Sequence, residues 1–249
     1  MLQRIGKATN WLWDAPANSL LSQFVVARTR CGLLLICVLL ALGCTPTIHV
    51  TTMNEQLISA ADRGDTAGIS HWLAAGANIN AQDANGRTAI MAATHGNQVA
   101  VVKALIDAGA DINIQDKRKD NPFLYAGAEG LLDILKLLIA AHADTKLTNR
   151  YGGVALIPAS ERGHVAVVET LLTQTDINVN HVNNLGWTAL LEAIILSDGG
   201  VKHQQIIQLL IEHGADVNLP DKDGVSPLQH ARARGFKAIE ELLIKANAR

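Results

Sequence analysis

Between Asn183 and Gly200 the chain reads NNLGWTALLEAIILSDGG, which sets an aromatic ring, a glutamate and an Asp-Gly-Gly turn close together. Two carboxylates in different surroundings are the usual equipment for acid–base work. The apolar run after Trp187 argues for a helix, however, and Glu192 and Asp198 then stand about 9 Å apart along its axis at about 1.5 Å per residue. They are not an acid and base pair. Nine histidines invite a metal site, yet His95, His142, His181, His203, His213 and His230 follow no ligand spacing. Cys31, Cys37 and Cys44 all precede Thr45, so neither a disulfide nor a thiolate metal site can form downstream. The DKDG stretch from Asp221 opens like a calcium loop but lacks the glutamate that would close one, and reads as a turn. No Gly-rich phosphate loop or nucleophile elbow occurs at usable spacing. The sequence thus predicts no catalytic residues, no metal and no cofactor.

Other elements must explain these residues. The chain has 249 residues, 49% of them hydrophobic but only 4% aromatic, so Ala, Leu, Ile and Val must build thin, closely packed elements. From Thr45 onward 17 Lys+Arg face 22 Asp+Glu, a net −5 that argues against nucleic-acid binding. Residues 1–43 read as a leader and signal peptide. The uncharged run Cys31–Gly43 follows Arg28 and Arg30, and as a helix it reaches about 20 Å, short of the roughly 30 Å of a membrane core. A leader of ordinary length would begin near Val25 or Val26. The end of this run, LLALGC, resembles the lipobox of bacterial lipoproteins, which implies cleavage before Cys44 and lipidation of its thiol. Residues 44–53 are then a lipidated linker.

After Met53 the chain repeats at about 33 residues. GANIN at Gly76 recurs as GADIN at Gly109, HADTK at His142, INVN ending at Asn180 and GADVN ending at Asn218. Between them stand GRTAIMAA, DNPFLYAG, GGVALIPA, GWTALLEA and GVSPLQHA, each followed by an apolar helix such as VAVVKALIDAG. Thr88, Thr188 and Ser226 stand where a hydroxyl caps a helix, and Pro122 and Pro227 at its first position. Val101, Val102, Leu105 and Ile106 form a buried stripe, and Gly76, Gly109 and Gly214 sit where a left-handed residue ends a helix.

These motifs resemble the ankyrin repeat, and the resemblance covers Asn54 to Arg249. It implies an all-α repeat solenoid of about six units, each a β-turn plus two antiparallel helices: 54–83 as an N-cap, 84–116, 117–149, 150–183, 184–221 with a five-residue insertion, and 222–249 as a C-cap. Aligned with its siblings, the opening stretch becomes the turn and first helix of the fifth unit, with a flexible loop from Ser197 to Gly200. Units three and four depart from the pattern. His142 and Lys119 replace glycines, Thr173–Thr175 replace another helix end, and Pro158 lies about four residues into a helix; the middle of the array is expected to be less stable.

The family resemblance further implies a concave surface of fingertips and first helices that binds other proteins. Carried over by position, the partner-binding residues are Arg87, Tyr125, Arg150, Tyr151, Arg162, Trp187, Glu192 and His230. The expected function is a monomeric, non-enzymatic interaction scaffold with an unidentified protein partner, held to lipid through Cys44 and facing the periplasm, the outer membrane being favoured by Thr45 after the cysteine. Bacterial envelope proteins of this type imply a role in peroxide resistance. The alternative is an ankyrin effector or toxin-immunity protein on an uncleaved single-pass inner-membrane anchor.

Overall fold

The computed structural model describes residues 52–249. The leader, the lipobox-like stretch, Cys44 and most of the linker lie outside the described residues. Twelve helices follow in chain order: α1 Met53–Asp62, α2 Thr66–Ala74, α3 Ala89–His95, α4 Val99–Asp107, α5 Pro122–Glu129, α6 Leu132–Ala140, α7 Leu156–Glu161, α8 Val165–Gln174, α9 Ala189–Ile195, α10 Val201–Glu212, α11 Pro227–Ala233 and α12 Lys237–Lys245. Odd-numbered helices stack on one another as an inner layer, even-numbered helices as an outer one, and each pair packs against the next. The described residues form an all-helical solenoid.

The inner helices are short and begin on side-chain caps. Thr88 Oγ1 accepts from Met91 N, Asn121 Oδ1 from Leu124 N, Thr188 Oγ1 from Leu191 N and Ser226 Oγ from Gln229 N, so one otherwise orphaned donor is satisfied at each start. Unit four has Val154 at that position, which cannot accept, and α7 accordingly starts late and runs only six residues. Pro158 is therefore its third residue, where a missing N–H costs nothing, rather than lying deeper as the sequence suggested.

Small residues set the spacing of the inner layer. A Cβ added at Gly127 would come 2.9 Å from the Cβ of Ala155, the residue that precedes α7. The outer helices seal the core with one repeated stripe: Val101, Val102 and Leu105; Ile134, Leu135 and Leu138; Val167, Val168 and Leu171; Ile206, Ile207 and Leu210. Each stripe is covered only by its neighbours, so the units stabilise one another.

Lys119 and His142 adopt the left-handed conformation their glycine positions demand, at φ 61° and 60°. Thr175 does not. It is extended at φ −136°, and its Oγ1 donates to Leu171 O at 2.5 Å, a different way of closing α8.

An asparagine ladder runs along the turns that follow the outer helices. Asn80 Oδ1 accepts from Asp111 N at 2.9 Å, Asn113 from Asp144 N at 3.0 Å, Asn180 from Asp216 N at 2.8 Å and Asn218 from Arg249 N at 2.9 Å. Lys146 interrupts it after α6. There Thr145 Oγ1 donates to Asp176 Oδ1 at 2.6 Å and Lys146 Nζ lies 3.7 Å from Asp176.

The insertion of unit five lengthens α10 to twelve residues and leaves a connection from Leu196 to Gly200. The expectation of flexibility there is corrected. Arg234 donates to Ile195 O at 2.9 Å and Ser197 O at 2.6 Å, Ser197 is buried, and the Phe236 ring lies so close to Gly199 that a Cβ there would meet it at 2.6 Å.

Candidate functional site

Five fingers project between consecutive helix pairs, and an aspartate or asparagine builds each of them. Asp83, Asp116, Asn149, Asn183 and Asp221 each open a finger, and the Oδ1 of each accepts from the N–H groups two and four residues on. That pins a tight turn and leaves the other side-chain atom of the opening residue free to reach the inner helix. Asp221 Oδ2 pairs with His230 Nε2 at 2.9 Å, and Asn183 Nδ2 donates to Glu192 Oε1 at 2.7 Å, both across nine residues.

The candidate residues fall along this inner face in separate groups. Arg87 is tied to its own finger, with Nε and Nη2 both 2.8 Å from Asp83 Oδ2. Burial works to raise the Asp83 carboxyl, but the hydrogen bonds from Arg87 and Asn85 hold it below the usual range. On the next unit the Tyr125 ring stacks on His95, centroids 3.9 Å apart. Burial, then the nearby Glu129 charge, push the Tyr125 phenol up, while burial and then Arg87 hold the His95 imidazole below its ordinary value. Arg162 bridges back one unit, 2.6 Å from Glu129 Oε1 and donating to Ala128 O at 3.1 Å. His164 Nε2 meets the same carbonyl at 3.2 Å, tying the adjacent loops together.

Arg150 is exposed, and its guanidinium carbon lies 4.7 Å over the Tyr151 ring. The next finger is joined to this one where Asn184 N donates to Tyr151 O at 2.9 Å, and it carries the half-buried Trp187. The structure therefore places Arg150, Tyr151 and Trp187 on adjoining fingers. Arg87 and His230 belong to the second and sixth units and form no part of that group.

Glu192 requires a correction. It is fully buried, because the Asn183 amide draws its carboxyl inward, so it is not an accessible contact for a partner. Its Oε2 has no hydrogen-bond partner. Burial, and then the charge of Glu161 on the preceding inner helix, raise its carboxyl well above the ordinary range. Glu161 is itself pushed up by burial.

Asp120 is the residue whose importance the sequence hides. It occupies the finger position of Arg87 and Trp187 in its own unit, is only 4% exposed, and lies 4.0 Å from Arg118. Burial, then Asp116, raise its carboxyl to about 7 against the opposing charges of Arg118, Arg150 and Arg162. Among the described residues no three His, Cys, Asp or Glu side chains converge on a metal position, and none of the described helices is long and apolar enough to cross a membrane. The inner face thus carries aromatic rings and cations in separate groups along the units.

Known proteins agree with this geometry. Residues 57–149, 123–221 and 156–249 each match the family model for ankyrin repeats, in three overlapping copies. The chain is 51% identical over 201 residues to the ankyrin repeat protein YahD of Escherichia coli (strain K12), spanning 81% of this chain and 100% of YahD. A crystal structure of an ankyrin repeat domain from Acinetobacter baumannii AYE superposes with a TM-score of 0.75 at 54% identity, over 78% of this chain and 98% of that one. The ankyrin repeat protein EF0377 gives 0.74 at 38% identity, over 77% and 98%.

Proposed function

Since the chain belongs to the ankyrin repeat family, whose repeats serve as protein-interaction scaffolds, we propose that it binds one protein partner through the inner face of units three to five. The observation that supports this reading is the row on adjoining fingers: Arg150 laid over Tyr151, joined by a backbone hydrogen bond to the finger of Trp187. Tyr, Trp and Arg are the side chains that most often dominate binding energy. The outer helices, by contrast, spend their apolar stripes on the core.

The scaffold is monomeric and sits in the cell envelope, held by a lipid on Cys44. Support for the anchor comes from the uncharged run Cys31–Gly43, which ends at that cysteine. Two experiments test these statements. A photoreactive residue at Tyr151 or Trp187 is expected to crosslink the same protein in cells, whereas one at the exposed outer-helix residue Lys136 is not; equal crosslinking from Lys136 would remove the inner-face reading. Cys44→Ser is expected to release the protein from membranes, and retention there would indicate an uncleaved anchor instead.

A further inference from the structure

Several exposed cations are spent on neighbouring acids: Lys103 on Asp107 at 2.7 Å, Arg232 on Glu240 at 2.8 Å and Lys146 on Asp176 at 3.7 Å. On the fingers of units three and four they are not. Lys117, Lys119 and Arg150 are exposed and form no ion pair among the described residues. The acids of the same finger do not cancel them. Asp116 Oδ1 is held by the N–H groups of Arg118 and Asp120, and Asp120 is buried 4.0 Å from Arg118. Residues 116–120 and 149–153 together carry four cations and two acids, a net +2 in a chain that is otherwise acidic.

Lys119 stands there against the preference of the backbone. The same place in the other four fingers is held by Gly86, Gly152, Gly186 and Gly224, all at positive φ, and Lys119 takes that left-handed conformation at 61°. A lysine strains such a turn where glycine does not, and because its side chain is exposed no burial offsets the strain. Strain kept in one finger and absent from its siblings points to a use for the side chain outside the fold. One amide group then holds two fingers together: Gln115 Nε2 donates to Lys119 O at 2.6 Å and to Thr148 O at 2.9 Å, and Arg150 lies two residues beyond Thr148. Since Arg150 also covers Tyr151, these cations continue the row of Arg150, Tyr151 and Trp187.

Resting on the inner-face reading above, we infer that Lys117, Lys119 and Arg150 form a cationic seat for an acidic stretch of the partner polypeptide, whose Asp or Glu carboxylates lie across the fingers of units three and four. Arg150 offers a planar fork to a carboxylate, and the two lysines act as point charges. Complementary charge of this kind fixes the orientation of a docked chain and speeds its arrival. A short polypeptide segment suits the patch better than a nucleic acid or a membrane surface, which require an extended basic face. Here the cations stop at two fingers: residues 83–87 and 183–187 carry no net charge, and residues 221–225 are net negative.

Nuclear magnetic resonance on the full chain tests this with three probes: the peptide acetyl-Glu-Gly-Glu-Gly-Glu-amide, its counterpart with glutamine in place of each glutamate, and inorganic phosphate. The acidic peptide is expected to give saturable shifts of the backbone amides of Lys117, Lys119 and Arg150, and none at Lys136 on the outer face. Apparent affinity should be at least fivefold weaker for the glutamine peptide and at least threefold weaker in Lys119→Gly. That variant keeps the left-handed turn and should have a raised urea midpoint, so its loss of affinity cannot come from unfolding. Equal affinity for the glutamine peptide, full affinity in Lys119→Gly, equal shifts at Lys136, or no saturable shift overturns the assignment. Phosphate binding as tightly as the acidic peptide also overturns it, and reassigns the patch to a phosphate-bearing surface. Crosslinking from Trp187 uses none of these probes, so this inference can fail while the inner-face reading stands, and equal crosslinking from Lys136 would remove that reading whatever the peptides do.

Discussion

Asp120→Asn should make the protein more stable at pH 8 while changing little at pH 4. In the folded chain the Asp120 carboxyl is 4% exposed, and burial together with the Asp116 carboxylate lifts it from 3.8 to about 7. A group that holds its proton more tightly when folded than when unfolded favours the folded state in acid. That contribution is lost as pH rises from about 4 through about 7, and is constant above. Each tenfold displacement of a proton equilibrium is about 1.4 kcal/mol, so roughly three of them make ionised Asp120 a liability of about 4 kcal/mol at pH 8. Asparagine has nearly the same shape, keeps the backbone bonds that Asp120 makes with Asp116, and carries no charge. Urea unfolding followed by circular dichroism at pH 5, 6.5 and 8 gives the difference between variant and parent. It should grow with pH, by no more than about 1.4 kcal/mol per pH unit. A difference that is flat between pH 5 and pH 8 would refute the reasoning, because it would mean that Asp120 ionises in the folded state as freely as in the unfolded one.

Further predictions follow from the irregular units. Lys119→Gly and His142→Gly each relieve a left-handed backbone at φ 61° and 60°, and each should gain about 0.5–1 kcal/mol; a lower urea midpoint in the double variant would contradict this. Leu138→Ala empties a fully buried site between outer helices and should cost about 2–5 kcal/mol, read from the same unfolding curves. Arg234→Ala removes two hydrogen bonds to the inserted connection. Hydrogen exchange should then accelerate at Ser197–Gly200 and stay unchanged at Val102, and uniform acceleration would show that the guanidinium supports the whole array instead.

The array was legible because its signals repeat. A cap such as Thr88 or Ser226, a stripe such as Val101–Val102–Leu105 and a turn glycine such as Gly109 each have local physics, and recurrence every 33 residues adds agreement between neighbours. Legibility failed where a residue's fate depends on a side chain elsewhere. Glu192 shares its position in the unit with Tyr125 and His230, so alignment placed it on the accessible face; the amide of Asn183, nine residues earlier, turns it inward. Asp120 drew no reading of its own, since nothing in its own finger reveals that its side chain is buried. The Ser197–Gly200 connection looked loose because its anchor, Arg234, comes from the following unit.

The substitution at Lys146 also has a mechanical meaning. The asparagine links at Asn80, Asn113, Asn180 and Asn218 are hydrogen bonds from backbone N–H groups to neutral side-chain oxygens, and dissolved ions hardly affect them. After α6 the link depends partly on Lys146 and Asp176, whose side chains are 80% and 70% exposed, and such a pair weakens as salt screens it. Ionic strength should therefore act on the turn-to-turn link at that one joint and leave the asparagine links beside it unchanged.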